Sequence, residues 1–238
     1  MTKTSLATAV LTGLSVIGGV ASAQDGQREP FGAYGGGDLF YYGDAAANSQ
    51  ADDATIASLY YGRNFLDGHV EAHLDYAFFD DIPQDDTAYR VQLSYSPERL
   101  SRTEVAFYIA RSFFDRFATD VTEYGITSDT ILSPGIELYL SGGVFDANGE
   151  HEFGGTAAVD FLTTDRAETE FAVSYYDGHT VGQTTVSFFL DNGIGLSAAA
   201  LVDDDGDAAA AFGLSYRFGV DRSKFRPTVT PLEMAILF

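Results

Sequence analysis

The chain has 238 residues, with 35 acidic and 13 basic side chains and a formal net charge of −22. That balance repels nucleic acid and anionic lipid surfaces and attracts cations, so a nucleic-acid-binding role is excluded. There is no cysteine, so disulfides contribute nothing to stability, and beyond the first residues no apolar stretch reaches the about 20 residues of a membrane-spanning helix.

Taken in order, Lys3, the apolar run 6–20 and the small-x-small site Ala21-Ser22-Ala23 predict a secretory signal peptide over residues 1–23. Its removal takes one Lys and no acid, leaving a charge of −23. Residues 24–30 form a polar lead ending on Pro30. Residues 31–42, with Gly35-Gly36-Gly37 and a run of aromatics, predict a strand whose inner face is ambiguous. A loop over 44–53 and a second strand over 54–61 follow.

The third segment has two clean faces. Val70, Ala72, Leu74, Tyr76 and Phe78 alternate with His69, Glu71, His73 and Asp75, which is the period of a strand. Tyr89 to Tyr95, Val105 to Ile109, a weaker sixth segment around Tyr124 and Ile126, Ile136 to Leu140, Ala157 to Phe161, Phe171 to Tyr175 and Val186 to Leu190 repeat the pattern. Asp191-Asn192-Gly193 has the chemistry of a tight hairpin turn, and Ile194 to Val202 supplies the eleventh strand. The twelfth, Ala208 to Phe218, puts Phe212, Leu214, Tyr216 and Phe218 on one face. An even count of strands near 9 to 11 residues suits a closed barrel, the one spanning structure besides helices that satisfies every backbone group in lipid.

Charge is sorted by the parity of the connections. Residues 43–53, 80–86, 114–120, 146–152, 177–182 and 203–207 hold 17 acids and one base, Arg116. The alternate set, 62–68, 96–102, 128–134, 164–167 and 191–193, holds five acids and four bases. A soluble sandwich gives no reason for such sorting, whereas a barrel separates two compartments. Doubled aromatics (Tyr41-Tyr42, Tyr60-Tyr61, Phe78-Phe79, Phe113-Phe114, Tyr175-Tyr176) stand where interfacial girdles belong.

Gly213, Tyr216 and Phe218 have the spacing of the closing-strand signal of bacterial outer-membrane β-barrels, although Ala211 stands where that signal has a polar residue. With the leader and the alternation, residues 1–218 resemble that family. The resemblance implies an all-β, antiparallel up-and-down transmembrane β-barrel of about twelve strands over 31–218, located in the cell outer membrane. The family includes solute channels, a lipid hydrolase and surface proteases, so fold alone does not choose a function. Residues 219–238, with Pro227 and Pro231 and a rival terminal aromatic, Phe238, are read as a periplasmic tail.

Inside such a barrel the lumen-lining residues are Glu71, His73, Asp75, Arg90, Glu104, Glu123, Glu137, Asp160, Glu168, Glu170 and Arg217. Acids in this excess point to a wet, cation-preferring path, or to a lumen plugged by ion pairs. Small inward residues from Ser187 to Ser215 would leave space beside the charged arc. The expected function is porin-like passive passage of small solutes; a closed structural or surface-interaction barrel is the alternative, and an intrabarrel enzyme the third reading. The chain is not expected to be an enzyme, no catalytic residues are assigned, and no cofactor is expected. Two neighbours among His69, Glu71, His73 and Asp75 could grip one metal, but a full set of ligands would need another strand, so a hydrogen-bonded polar lumen is preferred there to a metal or His-Asp catalytic site. Asp203, Asp205 and Asp207 begin like a calcium loop but fail the EF-hand pattern, which wants glycine where Ala208 stands and Glu where Leu214 stands. They and Asp80, Asp81, Asp85 and Asp86 are weak candidates for divalent cations. Expected partners are outer-membrane lipid, lipopolysaccharide and the barrel assembly machinery.

Overall fold

The computed structural model describes residues 33–44, 53–65, 68–80, 86–97, 102–114, 119–147, 149–164, 166–176 and 178–218. The expected signal peptide, the lead and the tail 219–238 lie outside them, as do most of the connections 43–53, 80–86 and 114–120.

The described residues form twelve strands: β1 (Tyr34–Asp44), β2 (Asp53–Phe65), β3 (Gly68–Asp80), β4 (Asp86–Ser96), β5 (Thr103–Phe114), β6 (Thr119–Ser133), β7 (Ile136–Ala147), β8 (Glu150–Thr164), β9 (Ala167–Tyr176), β10 (His179–Phe189), β11 (Ile194–Asp203) and β12 (Ala208–Phe218). Each pairs antiparallel with its chain neighbours, and β1 pairs with β12 to close the barrel. Closure removes every sheet edge.

The two-residue period decides which side chains face where. Leu74, Tyr76, Val91, Leu93, Ile109, Leu196 and Leu214 are exposed on the outside. Asp75, Arg90, Glu104 and Glu123, on the opposite face, are buried. A soluble domain has the reverse arrangement, so this exterior needs apolar surroundings. Tyr41, Phe78, Tyr89 and Tyr175 stand exposed near one end of the barrel, and Tyr61, Phe65, Tyr95, Tyr216 and Phe218 near the other. Of the doubled aromatics only one member of each described pair faces outward; Tyr42, Tyr60, Phe114 and Tyr176 turn inward.

Three expectations are corrected. The first strand is Tyr34–Asp44, and its faces are now fixed: Leu39 and Tyr41 point out, Phe40 and Tyr42 in. The sixth is among the longest, 15 residues, and absorbs most of 128–134. Its inward Asp129, paired across to Glu104 and Tyr139, is polar because it faces the lumen, and polarity there mimics a loop. Likewise β7 and β8 run to Ala147 and from Glu150, so most of 146–152 belongs to the two strands. The turn at Asp191-Asn192-Gly193 forms as expected: Gly193 has φ 86°, and Ile194 N–H donates to the Asn192 side chain at 3.2 Å.

The barrel has an apolar belt inside as well. Phe40, Tyr42, Ala54, Ile56, Ala77, Ala88, Val181, Ala199, Leu201, Ala209 and Ala211 form one buried cluster, with Phe114 and Tyr176 packed on it. It lies toward the end whose connections are acidic. At the seam, Phe40 stands directly opposite Gly213, and a β-carbon there would lie 2.5 Å from the ring. Glycine at 213 therefore seats the ring across the closing pair. Tyr34 and Tyr60 lie over Gly62 and Gly36 of the facing strands in the same way.

Candidate functional site in the barrel lumen

Three groups of polar side chains line the interior. In the first, β5 presents the small residues Ala110 and Ser112 between β4 and β6, and this lets Arg90 reach across to Glu123, two strands away. The guanidinium donates from Nε and Nη2 to the two carboxylate oxygens of Glu123 at 3.0 and 2.9 Å. It also donates to Gln92 Oε1 at 2.7 Å and lies 3.5 Å from Asp75 Oδ2. The Ser112 hydroxyl donates to Glu123 at 3.5 Å. Bidentate geometry of this kind is among the strongest available to a buried pair. It runs along the wall and leaves one carboxylate in excess.

The second group sits on β1 to β3 near the end where the chain enters β1. Tyr34 donates its hydroxyl to Glu71, lies 2.9 Å from His69 Nε2 and stacks on the His69 ring at 5.2 Å. His73 Nε2 is 3.5 Å from Glu71 Oε1, and its ring stacks on Tyr60 at 5.4 Å. Aromatic rings thus stack on both imidazoles, and the Glu71 carboxylate meets His73 directly and His69 through the Tyr34 hydroxyl.

The third group is acidic. On β7 to β9, Glu137 is opposite Asp160 and Asp160 is opposite Glu170, with Glu168 near them. Glu104 stands opposite Asp129. Asp160, Glu168, Glu170 and Glu104 are buried. Arg217, also buried, sets its guanidinium 4.0 Å over the Phe189 ring.

Sequence reasoning missed Asp38, Asp129 and Glu152, which share the inward parity of their strands. Asp38 was hidden by the ambiguous faces of β1, and the other two by their assignment to connections. The expected space beside the charged arc is not found. Ser187, Ser197 and Ser215 are buried, the hydroxyls of Ser187 and Ser197 lie 2.8 Å apart, and rings cover Gly195 and Gly213. Small residues here receive large neighbours.

Tyr216 and Phe218 face outward and border an apolar recess of about 600 Å³ on the outer wall, floored by Gly36 and Gly37 and walled by Leu59, Tyr61, Ala72 and Leu74. Asp203 Oδ1 accepts hydrogen bonds from the backbone N–H of Gly206 at 2.8 Å and of Asp207 at 2.7 Å, closing the turn around Gly206. Among the described residues no three His, Asp or Glu side chains gather in a metal-holding cluster, the His69 to Asp75 face included.

No protein-family model matches the chain, and no curated protein sequence does. Solved structures do match. The KdgM porin superposes with a TM-score of 0.62 at 10% identity, covering 77% of this chain and 99% of that one. The COG4313 outer membrane channel from Pseudomonas putida F1 gives 0.56 at 11%, with 84% and 100% covered. Outer membrane phospholipase A from Escherichia coli gives 0.53 at 8%, with 79% and 93% covered. This chain has the fold of the outer-membrane β-barrels. Outer-membrane barrels include channels and an enzyme among these neighbours, so the choice of function rests on what this lumen contains.

Proposed function

We propose that the chain is a porin-like barrel of the bacterial outer membrane, exported by residues 1–23, that gives small solutes passive passage with a preference for cations. One observation carries the reading: among the described residues, the inward basic groups Arg90 and Arg217 face a lumen wall of carboxylates several times more numerous. Arg90 is taken up by Glu123 and Asp75, and Arg217 lies against Phe189. The remaining field in the lumen is negative, and rings of carboxylates favour cations in confined water. The exposed apolar exterior and its two aromatic belts support insertion in lipid. Gly213, Tyr216 and Phe218 would be read by the assembly machinery, and the acidic connections would meet lipopolysaccharide through divalent cations.

The apolar cluster inside the barrel favours a second reading, a closed structural barrel without transport. Reconstitution in planar bilayers separates the two. The expected result is stepwise current with a reversal potential, under a salt gradient, that follows the cation. No current with any cation, or a reversal potential that follows chloride, would overturn the channel.

A further inference from the structure

The inner apolar cluster lines most of the wall at one level, where β8 instead turns Glu152 inward opposite Phe145. It takes residues from β1 to β4 and β10 to β12, with Phe114 of β5 and Tyr176 of β9 packed on it. Phe145 of β7 continues it, meeting Tyr176 edge to face at 4.5 Å between centroids. Eleven connections alternate between the two ends, and this collar lies toward the end whose described acids include Asp120, Asp146, Glu150, Asp204, Asp205 and Asp207. On its other side stand the buried carboxylates Asp75, Glu123 and Glu170. A solute entering from the acidic end therefore meets negative charge, then apolar and aromatic side chains, then negative charge again.

A bare inorganic cation gains from both acidic zones but must shed or squeeze its hydration shell at the collar, where apolar walls also expel water. A cation that carries its charge on an apolar body does not meet that barrier. Its body takes the place of contacts that Phe40, Leu201 and their neighbours make with one another, and its charge lies against the partly exposed rings of Phe114 and Tyr176. We propose that the lumen selects organic cations with an apolar or aromatic body, of the arylalkylamine class, over bare inorganic cations. This inference rests on the channel reading of the same lumen and names its solute class.

The test is a bi-ionic permeability series on the full chain in planar bilayers, with phenethylammonium, ethylammonium and potassium as probes. Phenethylammonium is expected to exceed ethylammonium by roughly fivefold, the order that cation–π contact and apolar burial supply, although it is the larger and slower ion in water. Leu201→Ser is expected to raise potassium permeability and shrink the ratio between the two amines; Ile56→Ser serves the same purpose should Leu201→Ser fail to assemble. Potassium above both amines in the wild-type barrel, or a ratio between the amines at or below unity, would overturn the solute class and leave the channel standing. No current with any of the three would overturn both.

Discussion

Arg90 shows why one residue can govern this interior. It is 4% exposed and Glu123 is 0% exposed, so each is out of reach of bulk water. Taking a single partner from such a pair leaves a buried charge, at a cost of about 3–5 kcal/mol. The two halves are not equivalent, however. Glu123→Gln leaves Arg90 with Asp75 at 3.5 Å and a neutral amide to accept its hydrogen bonds. Arg90→Met leaves Glu123 and Asp75 facing each other with no cation between them. Arg90→Met is therefore expected to lower the urea midpoint of the assembled barrel much more than Glu123→Gln, measured by the shift between folded and unfolded gel bands. Equal midpoints for the two variants would refute the shared-cation arrangement. That Arg90 is inward was legible from the parity of β4. Its bond to Glu123 was not, because it depends on Ser112 and Ala110 being small on the strand between, a relation visible only with the register in hand.

At the scale of the element, β12 and β1 form the one pairing among the described strands that is not made between sequence neighbours. Its register places Phe40 opposite Gly213 and Tyr216 opposite Gly37. Gly213→Ala drives a β-carbon to within 2.5 Å of the Phe40 ring, and overpacking of this kind costs about 1–3 kcal/mol. The expected outcome is a smaller assembled fraction on heat-modifiable gels, restored when Phe40→Leu is added. Failure of the second change to restore it would show that Gly213 matters for something other than seating the ring. The same gels test the proposed assembly signal: Phe218→Ala is expected to reduce the assembled fraction and Phe238→Ala to leave it unchanged. The alternation of β12 was plain in the sequence, since outside and inside differ sharply in polarity there. In β1 the faces were unreadable because aromatics occur on both: Tyr41 serves the outer belt while Phe40 and Tyr42 serve the inner collar. The doubled aromatics thus serve an interface and a core together.

For the molecule as a whole, the sorting of charge by connection was the strongest sequence evidence for two distinct ends, and the up-and-down topology brings the strand ends that flank the acidic connections to one of them. The inner collar was not legible, because a strand pattern reports which face is apolar and not at what height facing strands meet. The acidic end also bears on how divalent cations act. Asp203 spends Oδ1 on the backbone of its own turn, and no cluster of three ligands exists among the described residues. Divalent ions meeting the described carboxylates are expected to act by screening, which depends on ionic strength rather than on the identity of the ion. Bridging to the phosphates of lipopolysaccharide is a different matter, since there the second set of ligands comes from the lipid. In plain detergent, magnesium and sodium salts at equal ionic strength are expected to raise the temperature of the gel-band shift equally. In micelles containing lipopolysaccharide, magnesium is expected to raise it further and a chelator to reverse the gain. A magnesium-specific rise in plain detergent would instead reveal a site built by the protein alone, and insensitivity to the chelator in lipopolysaccharide would remove divalent bridging from the account of how this end of the barrel meets the membrane surface.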